Sequence, residues 1–250
     1  MEKNQNATVL RQETIAKDIY SMWIETPAAD KAVPGQFLSL YPKDASRILP
    51  RPISICECES GRLRIIYRVV GGGTAEFSAY HAGDPVRILG PLGNGFPKED
   101  GHALLIGGGI GLPPLLGLAK TLPGDVDIVC GFRDETFLTD EFSSHGRVWI
   151  ATEDGSAGTK GTVIDAIREE GLLADVIYAC GPMPMLRAVK NHAIKNGIRA
   201  WLSLEERMAC GIGACLGCVC KSTEVDAHSL VHNKRVCKDG PVFSAEEVEL

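Results

Sequence analysis

Hydrophobic and polar positions along this chain follow two rhythms, and the change between them falls near residue 100. Over residues 7–90, β-branched or aromatic runs at 8–10, 19–24, 37–41, 52–58, 62–70 and 85–89 alternate with turn residues. Short runs broken in this way predict an antiparallel barrel. Ser60-Gly61 predicts a hairpin between two of the strands, and Gly71-Gly72-Gly73-Thr74 leads into a short helical stretch ending near Tyr80. The breaker-rich segment 90–97 predicts the close of this first unit.

From His102 the order becomes apolar strand, glycine, helix. Strands are expected at 103–106, 126–131, 148–152, 176–180 and 199–204, and helices at 112–121, 162–170 and 183–196, with a short helix after residue 131. Alternation of this kind gives a doubly wound α/β unit with a parallel sheet. Ligands of such sheets bind at the carboxyl ends of the strands, three of which are Gly107-Gly108-Gly109, Gly131-Phe132-Arg133 and Cys180-Gly181-Pro182. The tail is cysteine-rich and is expected to be held together by metal. The chain therefore reads as multi-domain: an antiparallel β-barrel over 1–100, an α/β unit over 101–205 and a metal-binding unit over 206–250.

Composition narrows the ligands. With 250 residues, 44% of them hydrophobic, the chain can bury two ordinary cores. A net charge of -6 supplies no basic field for nucleic acid or anionic lipid, which leaves small molecules and protein surfaces as partners. No charged n-region precedes an apolar stretch, and no apolar run reaches the roughly 18 residues of a spanning helix, so the expectation is a soluble cytoplasmic protein with no membrane partner. The nine cysteines are an odd number without a secretion signal, which favours metal or redox use over a disulfide framework.

Five of those cysteines follow residue 209. Cys210-x4-Cys215-x2-Cys218 packs three thiols into nine residues, with glycines that let the backbone curl, and Cys237 follows after eighteen more. The spacing is that of plant-type [2Fe-2S] ligation, which moves one electron at a time. A structural zinc site is the alternative, since four thiolates also bind tetrahedral zinc, but zinc ribbons show two C-x2-C knuckles and here only Cys215 and Cys218 have that spacing. Cys220 is an alternative to Cys218, displaced along the strand that follows, and is read as a packed thiol. His228 and His232 form no Cys-x-His pair and are read as loop histidines instead of Rieske-type ligands.

Upstream, Arg51-Pro52-Ile53-Ser54 opens a barrel strand. Its guanidinium is a planar fork suited to a pyrophosphate, although a surface arginine at a strand start would look the same. The glycine turn ending in Gly73 and Thr74 supplies a second phosphate device, and two on one barrel suggest a dinucleotide. Ile66-Tyr67-Arg68 lies on the strand between them. In the second unit, Gly107, Gly108, Gly109 and Gly111 stand between a strand and a helix, where a nucleotide loop belongs, but Leu112 replaces the third glycine of G-x-G-x-x-G. Asp125 and Asp127 stand at the wrong end of the second strand to read a ribose, and Arg133-Asp134-Glu135 is mixed in sign, so NAD and NADP are not separated. Cys180 could be a buried structural thiol, the commonest fate of a cysteine, but its place at the carboxyl edge of the sheet opposite the glycine loop favours a position beside a bound nicotinamide, which makes it the candidate catalytic residue.

In that order the motifs Arg51 to Ser54, Gly73-Thr74, the Gly107 loop and Cys180-Gly-Pro resemble the ferredoxin-NADP reductase superfamily. The tail, from Ser203-Leu-Glu-Glu through the cysteine run to Lys234-Arg-Val-Cys237-Lys-Asp-Gly-Pro, is similar to the electron transfer subunit family of class 1B dihydroorotate dehydrogenase. The resemblance covers essentially the whole chain. It implies FAD bound by Arg51, Pro52, Ile53, Ser54, Ile66, Tyr67, Arg68, Gly73 and Thr74, a [2Fe-2S] cluster on Cys210, Cys215, Cys218 and Cys237, and NAD as the nicotinamide cofactor. It also implies a heterotetramer of two such subunits with two FMN-containing dihydroorotate dehydrogenase catalytic subunits, serving pyrimidine synthesis. Ile53 departs from the tyrosine that the superfamily often places there. The rival reading is a related flavin subunit that passes electrons to ferredoxin or to a sulfur-reducing partner. A non-catalytic nucleotide-binding subunit with structural zinc is a rival of another class.

Overall fold

The computed structural model describes residues 5–133, 135–225 and 230–250. Asp134 and His228, named above, lie outside the described residues. Strands β1 (Gln5–Ala16), β2 (Ile19–Glu25), β3 (Phe37–Tyr41), β4 (Arg51–Glu59), β5 (Arg62–Arg68) and β6 (Pro85–Leu92) close an antiparallel barrel in the order β1-β2-β5-β4-β3-β6, and α1 (Gly72–Ser78) connects β5 to β6. On β5 the side chains divide by period 2. Leu63, Ile65 and Tyr67 enter the barrel core with Met22, Leu38 and Phe77. Arg64 and Ile66 face outward yet are also buried, because the second unit covers them. Burial on both faces is why the charged-apolar alternation of 62–68 breaks at Ile66, an apolar residue on the outward face.

The second unit contains β7 (Ala103–Gly108), α2 (Leu112–Ala119), β8 (Val126–Phe132), α3 (Thr139–Ser143), β9 (Arg147–Thr152), β10 (Thr159–Lys160), α4 (Val163–Glu169), β11 (Val176–Cys180), α5 (Met183–Asn196) and β12 (Arg199–Ser203). The tail adds β13 (Val219–Lys221), β14 (Asn233–Arg235) and β15 (Val242–Ser244). The sheet runs β10-β9-β8-β7-β11-β12-β15, parallel except for β15, which pairs antiparallel with β12. Leu104, Ile106, Ile177 and Ala179 face one core, and Ala103, Leu105, Val176 and Tyr178 face the other, as a sheet covered on both sides requires.

Local chemistry sets the helix ends. Thr162 and Asp165 form a capping box for α4, in which Thr162 N donates to Asp165 Oδ2 at 2.8 Å. Gly197, at φ 67°, ends α5. Every residue of α2 is buried, because the helix is sandwiched between sheet and barrel. A Cβ on Gly117 would lie 2.2 Å from the Cys56 carbonyl oxygen of β4, so only glycine allows this approach. Beside that contact, Arg64 donates to Glu57 (2.6 Å) and Ser21 (2.9 Å) of the barrel and to Glu141 of α3 (2.5 and 3.0 Å), while Lys120 also reaches Glu57. Barrel and sheet are thus locked by backbone contact and a buried ionic network. Among the described residues no helix is long and apolar enough to cross a membrane.

Candidate functional site for flavin, nicotinamide and cluster

A groove of about 340 Å³ opens where barrel, sheet and tail meet. One wall is the set expected from sequence: Arg51, Pro52, Ile53 and Ser54 on β4, Ile66, Tyr67 and Arg68 on β5, and Thr74 on α1. The opposite wall, with Ile110, Ser203, Glu205 and Met208 among its residues, was not anticipated. The tail motif beginning at Ser203 runs through it but carried no sign of facing a groove, since this wall comes from the ends of β7 and β12 and from the start of the cysteine tail.

At the rim, a Cβ on Gly73 would fall 2.5 Å from Arg51 Nε, and one on Gly72 would fall 3.0 Å from Arg47 Nε. The glycines therefore make room for two guanidinium groups, of which sequence reading found one. Arg47 is oriented by Glu76 at 3.1 Å. Thr74 braces the turn: its hydroxyl accepts from Val70 N at 3.0 Å and donates to the Gly71 carbonyl at 3.0 Å. Tyr67 is 1% exposed and donates its hydroxyl to Gln12 at 2.8 Å, which fixes the ring beneath the groove. Apolar walls and a cationic rim suit a flat ring system carrying a pyrophosphate.

Strand register places Gly107, Cys180 and Ser203 side by side at the carboxyl edge of β7, β11 and β12. The glycines of the β7–α2 turn divide in their roles. A Cβ on Gly107 would meet Leu112 at 2.4 Å, one on Gly108 would meet Met185 at 2.7 Å, and one on Gly111 would meet the Cys180 carbonyl at 2.2 Å. Those three keep the turn tight against its neighbours, whereas the space beside Gly109, at φ 51°, is open. The Cys180 side chain is 2% exposed and stands just behind the groove. Burial pushes its thiol up to about 12, with the Glu205 charge adding to the rise and Ser203 opposing it. Glu205 itself is open to solvent in the groove but hemmed in by protein, and that loss of bulk water raises its carboxyl above the usual range.

The tail brings its four expected ligand cysteines into two pairs. Cys210 lies in hydrogen-bonding reach of Cys215, and Cys218 of Cys237. Backbone donors aim at the sulfurs: Gly213 N to Cys237 Sγ at 3.1 Å, Ala214 N to Cys210 Sγ at 3.3 Å, and Cys237 N to Cys218 Sγ at 3.4 Å. Burial works against ionising Cys210, but the N–H groups of Ile212, Cys215 and Ala214 outweigh it and bring the thiol down to about 6. The Cys237 thiol is raised, first by burial and then by Cys218. Among the described residues no three His, Cys, Asp or Glu side chains converge closely enough to hold a single metal ion. Two thiol pairs ringed by N–H donors fit a binuclear cluster better than one tetrahedral zinc. Cys220 is half-buried on β13, its Sγ 3.6 Å from the Lys234 carbonyl. The ring of His232, the other loop histidine, is instead 3.2 Å from the Ser222 carbonyl.

Groove and thiols are close neighbours. A Cβ on Gly211 would lie 3.0 Å from Ser39 Oγ, and Ser39 on β3 pairs in register with Pro52. Ser39 is 1% exposed and its hydroxyl is without a hydrogen-bond partner among the described residues, an orphaned donor at the junction of the two sites.

A closed barrel joined to a wound sheet through a shared groove, with a cysteine loop packed on the barrel, defines the class of flavin and nicotinamide reductases that carry an iron-sulfur extension. The solved structure described as "Insights into flavin-based electron bifurcation via the NADH-dependent reduced ferredoxin-NADP oxidoreductase structure" matches 100% of this chain and 91% of its own, with a TM-score of 0.88 and 30% identity. A flavohemoglobin from Malassezia yamatoensis shares the fold at a TM-score of 0.67 and 20% identity, covering 78% of this chain and 57% of its own. Residues 205–249 match the family model "Iron-sulfur cluster binding domain of dihydroorotate dehydrogenase B". "Dihydroorotate dehydrogenase B (NAD(+)), electron transfer subunit" from Caldanaerobacter subterraneus subsp. tengcongensis is 44% identical over 250 residues, 99% of each chain. The protein of the same description from Fusobacterium nucleatum subsp. nucleatum is 42% identical over 265 residues, again 99% of each. The chain belongs to the family of dihydroorotate dehydrogenase B electron transfer subunits.

Proposed function

We propose that this chain carries electrons from the FMN of a dihydroorotate dehydrogenase catalytic subunit to NAD(+), through a [2Fe-2S] cluster and FAD, in pyrimidine (UMP) synthesis. The observation that supports this most is the junction at Ser39: one barrel strand touches both the cysteine loop at Gly211 and the flavin motif at Pro52. When bound, the cluster supplies one-electron steps, the nicotinamide takes a hydride, and the flavin serves both.

The residues of the chain position these groups. Arg47 and Arg51 hold the pyrophosphate at the glycine turn, while Ile53, Ile66, Ile110 and Met208 exclude water from the ring. Gly109 offers the open backbone of the nicotinamide loop, and Cys180, kept as a neutral thiol by burial, lies beside the nicotinamide position. Cys210, Cys215, Cys218 and Cys237 hold the cluster, with backbone N–H groups in place to stabilise its charge. Around the exposed Cys215 stand Ile212 (53% exposed), Leu216 (55%) and Val219 (38%), an apolar collar suited to docking on the catalytic subunit. Two such subunits with two FMN-bearing catalytic subunits form the working heterotetramer, in the cytoplasm.

A second reading, a flavin subunit serving a ferredoxin or sulfur-reducing partner, draws on the 30% identical reductase, and it stands behind the full-length relatives at 44%. Replacing Cys215 with serine tests the proposal. Dihydroorotate-dependent NAD(+) reduction in the complex is expected to vanish, while FAD content and NADH oxidation by artificial dyes persist. Loss of FAD and of both activities together would refute it.

A further inference from the structure

Arg235 ends β14, two residues before Cys237, and Asp239 grips its guanidinium in a fork. Nε donates to Oδ2 and Nη2 to Oδ1, both at 2.9 Å, and the Arg235 backbone N–H adds a third bond to Oδ2 at 2.8 Å. Held this way, the guanidinium turns Nη1 toward the cysteine loop, where it donates to the Gly213 carbonyl at 3.3 Å. The peptide unit that presents this carbonyl also presents the Ala214 N–H, the donor to Cys210 Sγ at 3.3 Å. The Gly213 N–H donates to Cys237 Sγ at 3.1 Å. One residue thus sends hydrogen bonds from its two flanking peptide units to both thiol pairs. Gly213 cannot fix its own orientation with a side chain: it sits at φ 81°, and a Cβ there would fall 2.6 Å from Lys238 Cδ.

We propose that Arg235 is a positioning residue that sets how readily the cluster accepts an electron, acting through the Gly213–Ala214 peptide. This rests on reading the four cysteines as [2Fe-2S] ligands, and it adds a determinant outside the ligand set. Hydrogen bonds to ligand sulfurs favour the more negative, reduced state. Hydrogen bonds in series polarise one another, so the pull on the Gly213 carbonyl strengthens the Ala214 N–H bond to Cys210. Asp239 offsets the guanidinium charge at long range, which leaves the directed hydrogen bond as the principal effect.

The test compares the wild-type complex with Arg235→Gln and Arg235→Lys, by iron and sulfide content, by the EPR spectrum of the reduced cluster and by potentiometric titration. Arg235→Gln is expected to keep full iron and sulfide but to be harder to reduce by about tenfold in equilibrium constant, about 59 mV more negative for one electron. Arg235→Lys keeps the charge without the planar fork and is expected to shift in the same direction by a smaller amount. Full iron with an unchanged midpoint in Arg235→Gln overturns the proposal. Should Arg235→Gln fail to take up iron, an unchanged midpoint in iron-replete Arg235→Lys overturns it instead. Wild-type protein lacking iron and sulfide would overturn the cluster reading and this inference together.

Discussion

Replacing Arg64 with methionine keeps the bulk of the side chain and removes the cation that joins barrel to sheet. The side chain is 7% exposed and bonds to Ser21, Glu57 and Glu141, so its loss leaves Glu57, at 6% exposure, with Lys120 as its remaining ionic partner. Removing one member of a buried ionic network costs about 3–5 kcal/mol. Here the lower end applies, about 3 kcal/mol, because Lys120 still serves Glu57 and because Glu141, at 42% exposure, regains water. For a chain of this size that is a fall in Tm of about 6–12 °C. Thermal unfolding of the full chain at pH 7 reads it, and a double-mutant cycle with Glu141→Gln isolates the contact between the units, with an expected coupling of about 1 kcal/mol. A Tm loss under about 2 °C together with additive single effects would show that water screens the network and that backbone packing alone joins the two units.

Three further outcomes follow from the geometry. Gly73→Ala displaces the Arg51 guanidinium and is expected to weaken FAD binding about tenfold or more, the worth of one charge-assisted hydrogen bond, as measured by FAD titration of deflavinated protein. Gly117→Ala sets the gain of about 1 kcal/mol in helix propensity against a backbone clash at 2.2 Å; the clash wins, with a net loss of about 1–2 kcal/mol, and a rise in Tm would contradict the fit of α2 on β4. Burial alone would raise the Glu57 carboxyl, but the hydrogen bonds of Lys120 and Arg64 outweigh it and hold it below the ordinary range. A group with a depressed folded pKa stabilises above its unfolded value, about 4.3, and that stability is lost as pH falls through the folded value. Stability should therefore be level with respect to this group from about pH 5 upward and fall in acid, and Glu57→Gln should flatten the acid limb of a Tm profile.

The barrel, the wound sheet and the thiol spacing were legible in the sequence because each is a local pattern. Period-2 runs, glycine between strand and helix, and C-x4-C-x2-C are written within a few residues of themselves. The barrel wall of the groove was legible for the same reason, being held on β4, β5 and the turn before α1. The expectation at 8–10 found only part of β1, since Arg11, Gln12 and Glu13 continue the strand through backbone pairing with β2 without an apolar signal. Strands β10, β13, β14 and β15 have two or three residues each, too few for any periodicity.

What the tertiary structure alone decided is which residues from distant segments meet. Four glycines before α2 look alike in sequence, yet Gly107, Gly108 and Gly111 serve packing while Gly109 faces open space, a distinction set by Leu112, Met185 and Cys180. Arg47 and Ser39 belong to no motif, and Glu205 and Arg235 stand inside the tail motif without any sign of what they contact. They gain their places because the cysteine tail folds back across the barrel and β15 adds itself to the sheet beside β12. The sequence by itself determined the elements and the thiols on offer as candidate ligands, since backbone propensity and side-chain chemistry are local properties. The distances between the barrel groove, the carboxyl edge of the sheet and the cysteine loop arise only once the chain has closed on itself, because burial and hydrogen bonding between remote segments set them.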